Sequence, residues 1–379
     1  MELQDTAEEA EYRARLRAWI AEHLPQELVG LGTRTGRLPL LRQWSRALSD
    51  AGYVGLTWPA EYGGGGGRYA LEGIILEELA RADAPQHLGT IGLGMAGPTI
   101  MVHGTGEQKA AHLQRILQAE EIWCQGFSEP GAGSDLASVR TRAELRGDVF
   151  LVNGQKVWSS YAHLADWCIL VTLSDPDAAR YRGLTYLLVD MHSPGVEVRP
   201  LRQMTGDADF NEIFFTDVEV PAANVLGEVG GGWQVAMTTL LHERATLGFA
   251  LTGLLDSGIR RLLALAAANR DAAEPWLAQI AHEWIQLQAL KLTAHRSLGQ
   301  LDRTGMPGPE GSVIKLAWSE SSQRMTKLAR QLLGETAVLD DGIWNYQQLR
   351  SRGNTIEAGT SEILRNIVAE RVLQLPRSR

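Results

Sequence analysis

Cysteine is scarce in this sequence, because the 379 residues include only Cys124 and Cys168 and the two form no CxxC pattern. A disulfide framework is therefore not expected, and the composition predicts two small buried thiols in a reducing compartment. A secretory leader is also missing, since Met1 to Leu24 carries acidic residues where a leader needs a basic start and an apolar run. No stretch approaches the apolar length of a membrane span, so we expect a cytoplasmic protein.

Positive charge and several catalytic motifs are lacking as well. The net charge of −9 argues against nucleic acid as the main partner, although a phosphorylated cofactor needs only a few local donors. The sequence contains no Walker P-loop, no HExxH, no GxSxG and no glycine turn between a strand and a helix of the kind that a dinucleotide fold requires. The nine histidines show no metal-ligand spacing, so we predict no metal site.

The hydrophobic pattern that is present changes twice along the chain. Helical spacing runs from Tyr12 to Leu24 and from Leu71 to Leu79, short β-rich runs follow from Ile122 to Pro221, and helical spacing then returns. This order predicts an α+β fold. We expect an N-terminal helical domain at 1–118, a central β-barrel-like antiparallel domain at 119–226 and a C-terminal four-helix-bundle-like domain at 227–379.

A hairpin signal stands inside the β region. Asn153-Gly154 separates the apolar run Val149 to Val152 from Gln155 to Trp158. Because Asn-Gly favours a two-residue turn, the pattern predicts a β-hairpin centred on these two residues.

The segment from Cys124 to Asp135 is the most distinctive in the chain. It predicts a strand that runs into a tight glycine-rich turn, where Gly131 and Gly133 would let backbone N–H groups approach a ligand. Ser128 and Ser134 would add hydroxyl donors. The chemistry by itself leaves two interpretations open, a ligand-binding loop or a surface turn that ends in an Asp-containing cap.

Three motifs resemble the acyl-CoA dehydrogenase family. Cys124 to Asp135 looks like its first signature, Gln155 to Ser160 is similar to its flavin-contacting strand, and Ala358 to Ile367 resembles its second signature. They occur in the family's order, and the resemblance covers nearly the whole chain. It implies the acyl-CoA dehydrogenase fold, an FAD cofactor and oxidation of the Cα–Cβ bond of an acyl thioester, with electrons passed to an electron-transfer flavoprotein.

The resemblance also implies which residues contact the cofactor. Trp158 would pack on the flavin ring system, Ser160 would hydrogen-bond near flavin N5, and Gln331 would reach the cofactor of a neighbouring subunit. Thr360 and Glu362 would meet the phosphates and the adenylate. The flavin and the pantetheine arm would be lined by backbone and hydroxyl groups of Phe127, Ser128, Gly133 and Ser134. Substrate contacts are implied for Ser134, Arg244, Ala358 and Gly359.

The general base falls at a position that a minority of the family uses. Many members place this glutamate immediately before the Gly-Thr of the second signature, where this chain has Ala358. Isovaleryl- and long-chain-type members place it on a helix of the C-terminal region in a Leu-x-Glu-Arg context. Leu241-His242-Glu243-Arg244 matches that context, so the resemblance implies Glu243 as the base, whereas Glu357 is one residue too early.

Two departures from the family pattern bear on assembly. The region from Arg260 to Ala272 lacks the usual Arg-x-x-Phe-Gly, and Glu335 replaces a glycine. Some bacterial relatives with such departures work as mixed tetramers, so a dimer or tetramer is implied, with a homologous second chain as one option. A supporting subunit and a flavin oxidase or monooxygenase remain alternative functions. The resemblance points to a branched, long or steroid side-chain thioester, carried by CoA or by a carrier protein.

Overall fold

The computed structural model describes residues 5–29, 37–304, 308–339 and 342–376, and for residues 244–247, 249 and 302 it describes the backbone only. Twelve α-helices are assigned within these ranges: α1 Ala7–His23, α2 Leu38–Asp50, α3 Tyr69–Arg81, α4 Gly97–His103, α5 Gly106–Leu117, α6 Gly232–Ala268, α7 Arg270–Ala273, α8 Leu277–Thr304, α9 Glu310–Leu333, α10 Thr336–Leu339, α11 Ile343–Asn354 and α12 Ser361–Ile367. Seven strands lie between α5 and α6: β1 Trp123–Gly126, β2 Arg142–Arg146, β3 Val149–Ser160, β4 Trp167–Leu173, β5 Leu184–Asp190, β6 Val196–Leu201 and β7 Phe210–Pro221. The predicted order of helices, strands and helices is confirmed.

The chain forms two compact units. The sheet unit comprises Leu31–Gly67 and Pro85–Glu243, and the helical unit comprises Met1–Gly30, Arg68–Ala84 and Arg244–Arg379. Helix α6 begins in the sheet unit and ends in the helical unit.

The sheet unit contains one seven-stranded sheet. Its strand order is β1-β4-β2-β3-β7-β6, and β5 pairs with β4. Most pairs are antiparallel, as predicted, whereas β1 runs parallel to β4 and β2 meets β4 in a single parallel pair. Side chains that alternate along the strands fill the core, and Phe150, Val152, Ile213 and Val218 are almost fully buried.

The hairpin predicted at Asn153-Gly154 is wrong, because β3 runs without a turn from Val149 to Ser160. The turn lies earlier, at Gly147, and joins β2 to β3. Gly154 is needed for close packing instead, since an added Cβ would lie 2.6 Å from Thr141 Oγ1. Asn153 spans a bulge by accepting a hydrogen bond from the Asp217 backbone N–H at 2.9 Å. Tertiary contacts therefore override the local turn preference.

The helical unit is held by a core between α6, α8, α9 and α11. Leu255, Ile259, Leu287, Ala329 and Trp344 are among its buried side chains. Helices α8 and α9 bury apolar side chains against each other, and they belong to the bundle that the spacing predicted.

Ion pairs join the first helix of this unit to α3. Arg13 contacts Glu77 at 2.9 Å, and Arg17 contacts the buried Glu78 at 2.8 Å. Helix α1 begins at a capping box in which Thr6 and Glu9 accept each other's backbone N–H.

Candidate functional site

In the glycine-rich loop after β1, Phe127 next to the strand is buried, whereas residues further along the loop are exposed. Phe127 is 5% exposed and packs edge-on against Tyr186, with ring centroids 5.8 Å apart. Gly133 and Ser134 are exposed. No protein atom lies within 4 Å of a Cβ added at Gly131 or Gly133, so packing of the protein itself does not require these glycines. A ligand that approaches the backbone closely supplies a reason for them.

Glu129 forms hydrogen bonds within this loop and to the segment that follows it. Its carboxylate accepts the backbone N–H groups of Arg140 at 2.7 Å and Thr141 at 2.9 Å. Its backbone exchanges two hydrogen bonds with Ala132, at 2.8 and 3.0 Å. The carboxylate therefore ties the beginning of the loop to the strand that follows it.

Lys156 binds the same carboxylate from β3. Its Nζ donates to Glu129 Oε1 at 2.8 Å and to the Phe127 carbonyl at 3.1 Å, and its side chain is fully buried. Burial lowers the pKa of Lys156 to about 8, and the negative charge of Glu129 limits that fall. Burial also raises the pKa of Glu129, but the charge and hydrogen bonds of Lys156 outweigh it and hold that pKa below its usual value.

Trp158 lies two residues further along β3, at a bulge. Between the pairs Lys156–Ile213 and Ser159–Asn211, two residues of β3 stand opposite one residue of β7. The backbone of Trp158 has a φ of +61°, and its indole is 61% exposed. Since a left-handed non-glycine residue costs about 1–2 kcal/mol, the fold retains strain that presents an apolar ring to its surroundings.

Ser160 ends the same strand. Its backbone pairs with Phe210, and its side chain is half-buried. Phe210 contacts the Trp158 ring edge-on, at 6.1 Å between centroids. The sheet unit therefore brings together the glycine-rich loop, Trp158 and Ser160.

The second candidate motif lies in the turn between α11 and α12. Ala358 and Gly359 both have left-handed backbones, with φ values of +50° and +92°. The buried Lys315 of α9 donates from Nζ to the Gly359 carbonyl at 2.8 Å and holds this turn in place. Thr360 caps α12 by accepting the Ile363 N–H at 3.3 Å.

The two acidic residues that flank this turn have different surroundings. The carboxylate of Glu357 is bound by Arg350 at 2.9 and 3.1 Å. Glu362 lies in the first turn of α12, and its side chain is 79% exposed. Thr360 and Glu362 thus lie beside Ala358 and Gly359, on one turn of the helical unit.

Glu243 lies on α6 at the end of the sheet unit. Its side chain is half-buried and already interacts with other groups of the protein. Burial lowers the pKa of the neighbouring His242, and His103 lowers it further. The side chain of Arg244, the predicted substrate contact, lies outside the described residues.

Gln331 lies on the exposed side of α9, at a cavity of about 640 Å³. The cavity is lined by Lys327, Arg330, Gln331, Gly334, Glu335, Ala337 and Gln348. A second cavity of about 410 Å³ shares Lys327 and Gln348 and adds Arg324, Arg352 and Arg365. Gln331 therefore lies in a recess that has Lys327 and Arg330 beside Glu335. In the second cavity, Arg324 pairs with Glu283 and Arg365 pairs with Glu320.

The arginines that stand where the family has Arg-x-x-Phe-Gly are engaged inside the helical unit. Arg261 pairs with Asp83, and Arg260 pairs with Asp256. Lys291 also binds Asp256, at 2.6 Å. These contacts give both arginines a structural role.

The described residues fit a flavin better than a metal. An exposed indole on a strained bulge suits a flat ring, and the open glycines suit close backbone contact. Among the residues that the structure describes, no group of three or more His, Cys, Asp and Glu side chains is arranged to hold a metal ion. Across the same residues, no helix is both long and apolar enough to cross a membrane.

The buried charged residues at the candidate motifs, Glu129, Lys156 and Lys315, were not singled out from the sequence. A signal was present for Lys156, because it falls on the same inward face of β3 as Phe150 and Val152. A lysine at an apolar strand position needs a buried partner. That partner, Glu129, lies 27 residues earlier, and no local pattern identifies it.

Family models match three successive parts of the chain. The N-terminal domain of acyl-CoA dehydrogenase matches residues 6–120, the middle domain matches 124–218 and the C-terminal domain matches 230–373. The chain is 40% identical to acyl-CoA dehydrogenase IpdE1 of Mycobacterium tuberculosis, over 97% of this chain and 98% of the relative. It is 39% identical to acyl-CoA dehydrogenase FadE34 of the same organism, over 87% of this chain and 46% of that longer relative.

Solved structures agree with these matches. The Tcur3481-Tcur3483 steroid ACAD has a TM-score of 0.88 and 30% identity, with all of both chains covered. The ChsE4-ChsE5 complex from Mycobacterium tuberculosis has a TM-score of 0.82 and 30% identity, also with all of both chains covered. The chain belongs to the acyl-CoA dehydrogenase family of oxidoreductases.

Proposed function

We propose that this protein catalyses FAD-dependent α,β-dehydrogenation of an acyl-CoA thioester and passes the electrons to an electron-transfer flavoprotein. The observation that carries the proposal is the exposed Trp158 beside a loop whose glycines serve no packing of the protein itself. The family and the matched signatures support the reaction type.

Glu243 is proposed as the general base that removes the α-proton. A carboxylate serves this role because substrate that displaces water raises its basicity. Glu357 is a poorer candidate, since Arg350 binds its carboxylate with two charge-assisted hydrogen bonds. Ala358 leaves the alternative family position without a carboxylate.

The proposed cofactor contacts follow the motif resemblance. Trp158 and the loop residues Phe127, Ser128, Gly133 and Ser134 would hold the isoalloxazine side, with Ser160 near N5. Thr360 and Glu362 would hold the phosphates and adenylate, and Gln331 would reach the cofactor of a neighbouring subunit. When bound, FAD accepts the hydride from Cβ. Arg244, Ala358, Gly359 and Ser134 are proposed to orient the thioester.

For the acyl group we propose a bulky, branched or polycyclic thioester. The support is the steroid ACAD that matches this chain at 30% identity over its full length. The proposed base Glu243 lies on α6. This position agrees with the choice, because isovaleryl- and long-chain-type members of the family also place their base on a helix of the C-terminal region.

The active form is proposed to be an assembly of subunits. The support is a set of apolar side chains of α6 and α8 that are between 41% and 56% exposed and that a partner subunit would cover: Leu254, Leu263, Leu277, Trp284, Ile285 and Leu292. A second candidate function is that of a supporting subunit in a mixed complex. The Tcur3481-Tcur3483 steroid ACAD and the ChsE4-ChsE5 complex, each named for two proteins, favour this function. Glu335 also favours it, because it replaces a glycine of the family pattern.

One experiment separates these functions. The purified chain is examined for bound FAD by its visible spectrum, and it is then mixed anaerobically with acyl-CoAs that include a steroid side-chain thioester. Bleaching of the flavin by one thioester supports the dehydrogenase. FAD binding without bleaching by any thioester supports the supporting subunit, and a colourless protein that takes up no FAD contradicts both.

A further inference from the structure

The Glu129–Lys156 ion pair occupies a special place in the sheet unit. Three contacts connect the glycine-rich loop to two consecutive residues of β3. Lys156 Nζ donates to Glu129 and to the Phe127 carbonyl, and the Val157 N–H donates to the Ser128 carbonyl at 2.9 Å. The next residue of β3 is Trp158. The pair therefore links the loop directly to the strained bulge that presents the indole.

Stability alone is a poor explanation for a buried ion pair. Removing two charges from water costs several kcal/mol, and apolar residues of similar volume often serve the fold as well or better. A buried pair is more useful for fixing one arrangement of two segments, because a buried charge that loses its partners is costly and therefore tolerates little displacement. Here the two segments are two of the proposed contacts of the flavin, the glycine-rich loop and Trp158.

We propose that Glu129 and Lys156 are positioning residues for the cofactor, which set the distance and orientation between the glycine-rich loop and Trp158. This inference rests on the proposed function, because it assumes that the two segments share a flavin. Neither residue touches the cofactor in this scheme. Each acts through the backbone groups that it holds, namely the Phe127 carbonyl and the N–H groups of Arg140 and Thr141.

Three variants of the full-length chain test the proposal: Lys156→Met, Glu129→Gln and the double variant. Each single variant leaves one buried charge or polar group without its partner, and we expect a lower melting temperature. The double variant removes both charges, so we expect a melting temperature close to that of the wild type. Glu121→Gln serves as the matched control, because Glu121 is also buried and paired, with His112 at 2.9 Å, in the same unit.

Two further measurements distinguish positioning from stability. Hydrogen exchange of the ligand-free chain reports on amides 128–141, and titration with FAD reports on affinity and on the visible circular dichroism of the bound flavin. In the double variant we expect faster exchange of these amides and an altered flavin spectrum. Its Kd for FAD should be at least about tenfold higher, as expected when one or two backbone hydrogen bonds to a ligand are lost. The Glu121→Gln control should keep the wild-type Kd and spectrum.

The outcomes separate this inference from the proposed function. Wild-type affinity and spectrum in the double variant would overturn the inference and leave the proposed function intact. No FAD binding by the wild type would overturn both. If the double variant does not fold, Glu129→Gln decides by the same measurements, since it retains Lys156 and one acceptor oxygen.

Discussion

Arg350 binds both oxygens of the Glu357 carboxylate through one guanidinium nitrogen, at 3.1 and 2.9 Å. The two residues are seven positions apart, on α11 and the turn that follows it. Glu357 directly precedes Ala358, and its contact with Arg350 gives it a structural role. It also provides a matched control for the proposed base.

The first prediction concerns that base. Glu243→Gln keeps the size of the side chain and deletes its charge, so anaerobic flavin bleaching by a thioester substrate should slow by at least about 100-fold. Glu357→Gln should bleach at a rate near that of the wild type, although it weakens the contact with Arg350. Stopped-flow absorbance of the flavin measures both rates. Fast bleaching by Glu243→Gln together with slow bleaching by Glu357→Gln would show that the two roles are reversed.

The second prediction uses the strained backbone of Trp158. Glycine adopts a φ of +61° without the steric cost that tryptophan bears. Relief of this strain opposes the loss of the Phe210 contact and the backbone entropy of glycine, so Trp158→Gly should change the free energy of unfolding by no more than about 1 kcal/mol in either direction. The same change removes a stacking surface, so the Kd for FAD should rise about tenfold. Thermal unfolding of the ligand-free chain and a fluorescence titration test these two effects.

A buried tryptophan provides the contrast. Trp123 is 1% exposed, and Trp123→Ala should lower the free energy of unfolding by about 3–5 kcal/mol. If Trp158→Gly destabilises the chain to the same degree, the indole serves the core and the assignment to the cofactor fails.

The third prediction concerns stability at acidic pH. His87 is buried, its Nδ1 accepts the Gly89 N–H at 3.0 Å, and burial lowers its pKa from 6.5 to about 4. The unfolded chain therefore binds this proton more tightly than the folded chain. The stabilisation that comes from keeping His87 neutral and buried is complete above pH 6.5. As the pH falls from 6.5 towards 4, the free energy of unfolding decreases by about 3 kcal/mol in total.

His87→Asn checks the third prediction. Asparagine keeps an acceptor for the Gly89 N–H but does not titrate, so urea unfolding should depend less steeply on pH between 6.5 and 4. The variant will be less stable than the wild type at pH 7.5, because part of a packed ring is removed. An unchanged slope would assign the pH dependence to other groups, such as His103 and His242, whose pKa values burial also lowers.

The fourth prediction concerns assembly. Light scattering should give a dimer or larger species, and Ile285→Lys should shift the mass towards the monomer, because Ile285 is 56% exposed on α8. The FAD content should fall together with the mass of the assembly, because Gln331 is proposed to contact the cofactor of a neighbouring subunit. Leu145→Lys is the control, because Leu145 on β2 is an apolar residue that is 53% exposed. We expect this change to leave the mass of the assembly as it is in the wild type. A wild-type monomer with full FAD occupancy would contradict this prediction.

Much of the fold was predictable because it depends on local patterns. The spacing of apolar residues predicted α1, α3 and the long helices of the C-terminal part, and short β-rich runs predicted β4 to β7. The proposed domain limits at 118 and 226 remain predictions.

The candidate site was predictable in part and for a different reason. Motif resemblance predicted roles for Trp158, Ser134, Ala358 and Gln331, and these roles remain predictions. The structure places the four residues at a bulge, in a loop, in a turn and at a cavity. Resemblance did not locate Lys156 or Lys315, since neither forms a pattern with its neighbours in sequence. Their partners are the Glu129 carboxylate and the Gly359 carbonyl, and only folding brings these groups within hydrogen-bond distance.

The amino-acid sequence by itself determined the elements whose causes are local. Thr6, Thr105 and Thr360 begin helices because each hydroxyl accepts an N–H three residues further on. Tertiary structure alone decided that Asn153-Gly154 continues a strand and that Lys156 is buried as a cation. A turn preference is worth little when a neighbouring strand supplies hydrogen bonds, and a charge enters a core only where the fold places its partner beside it.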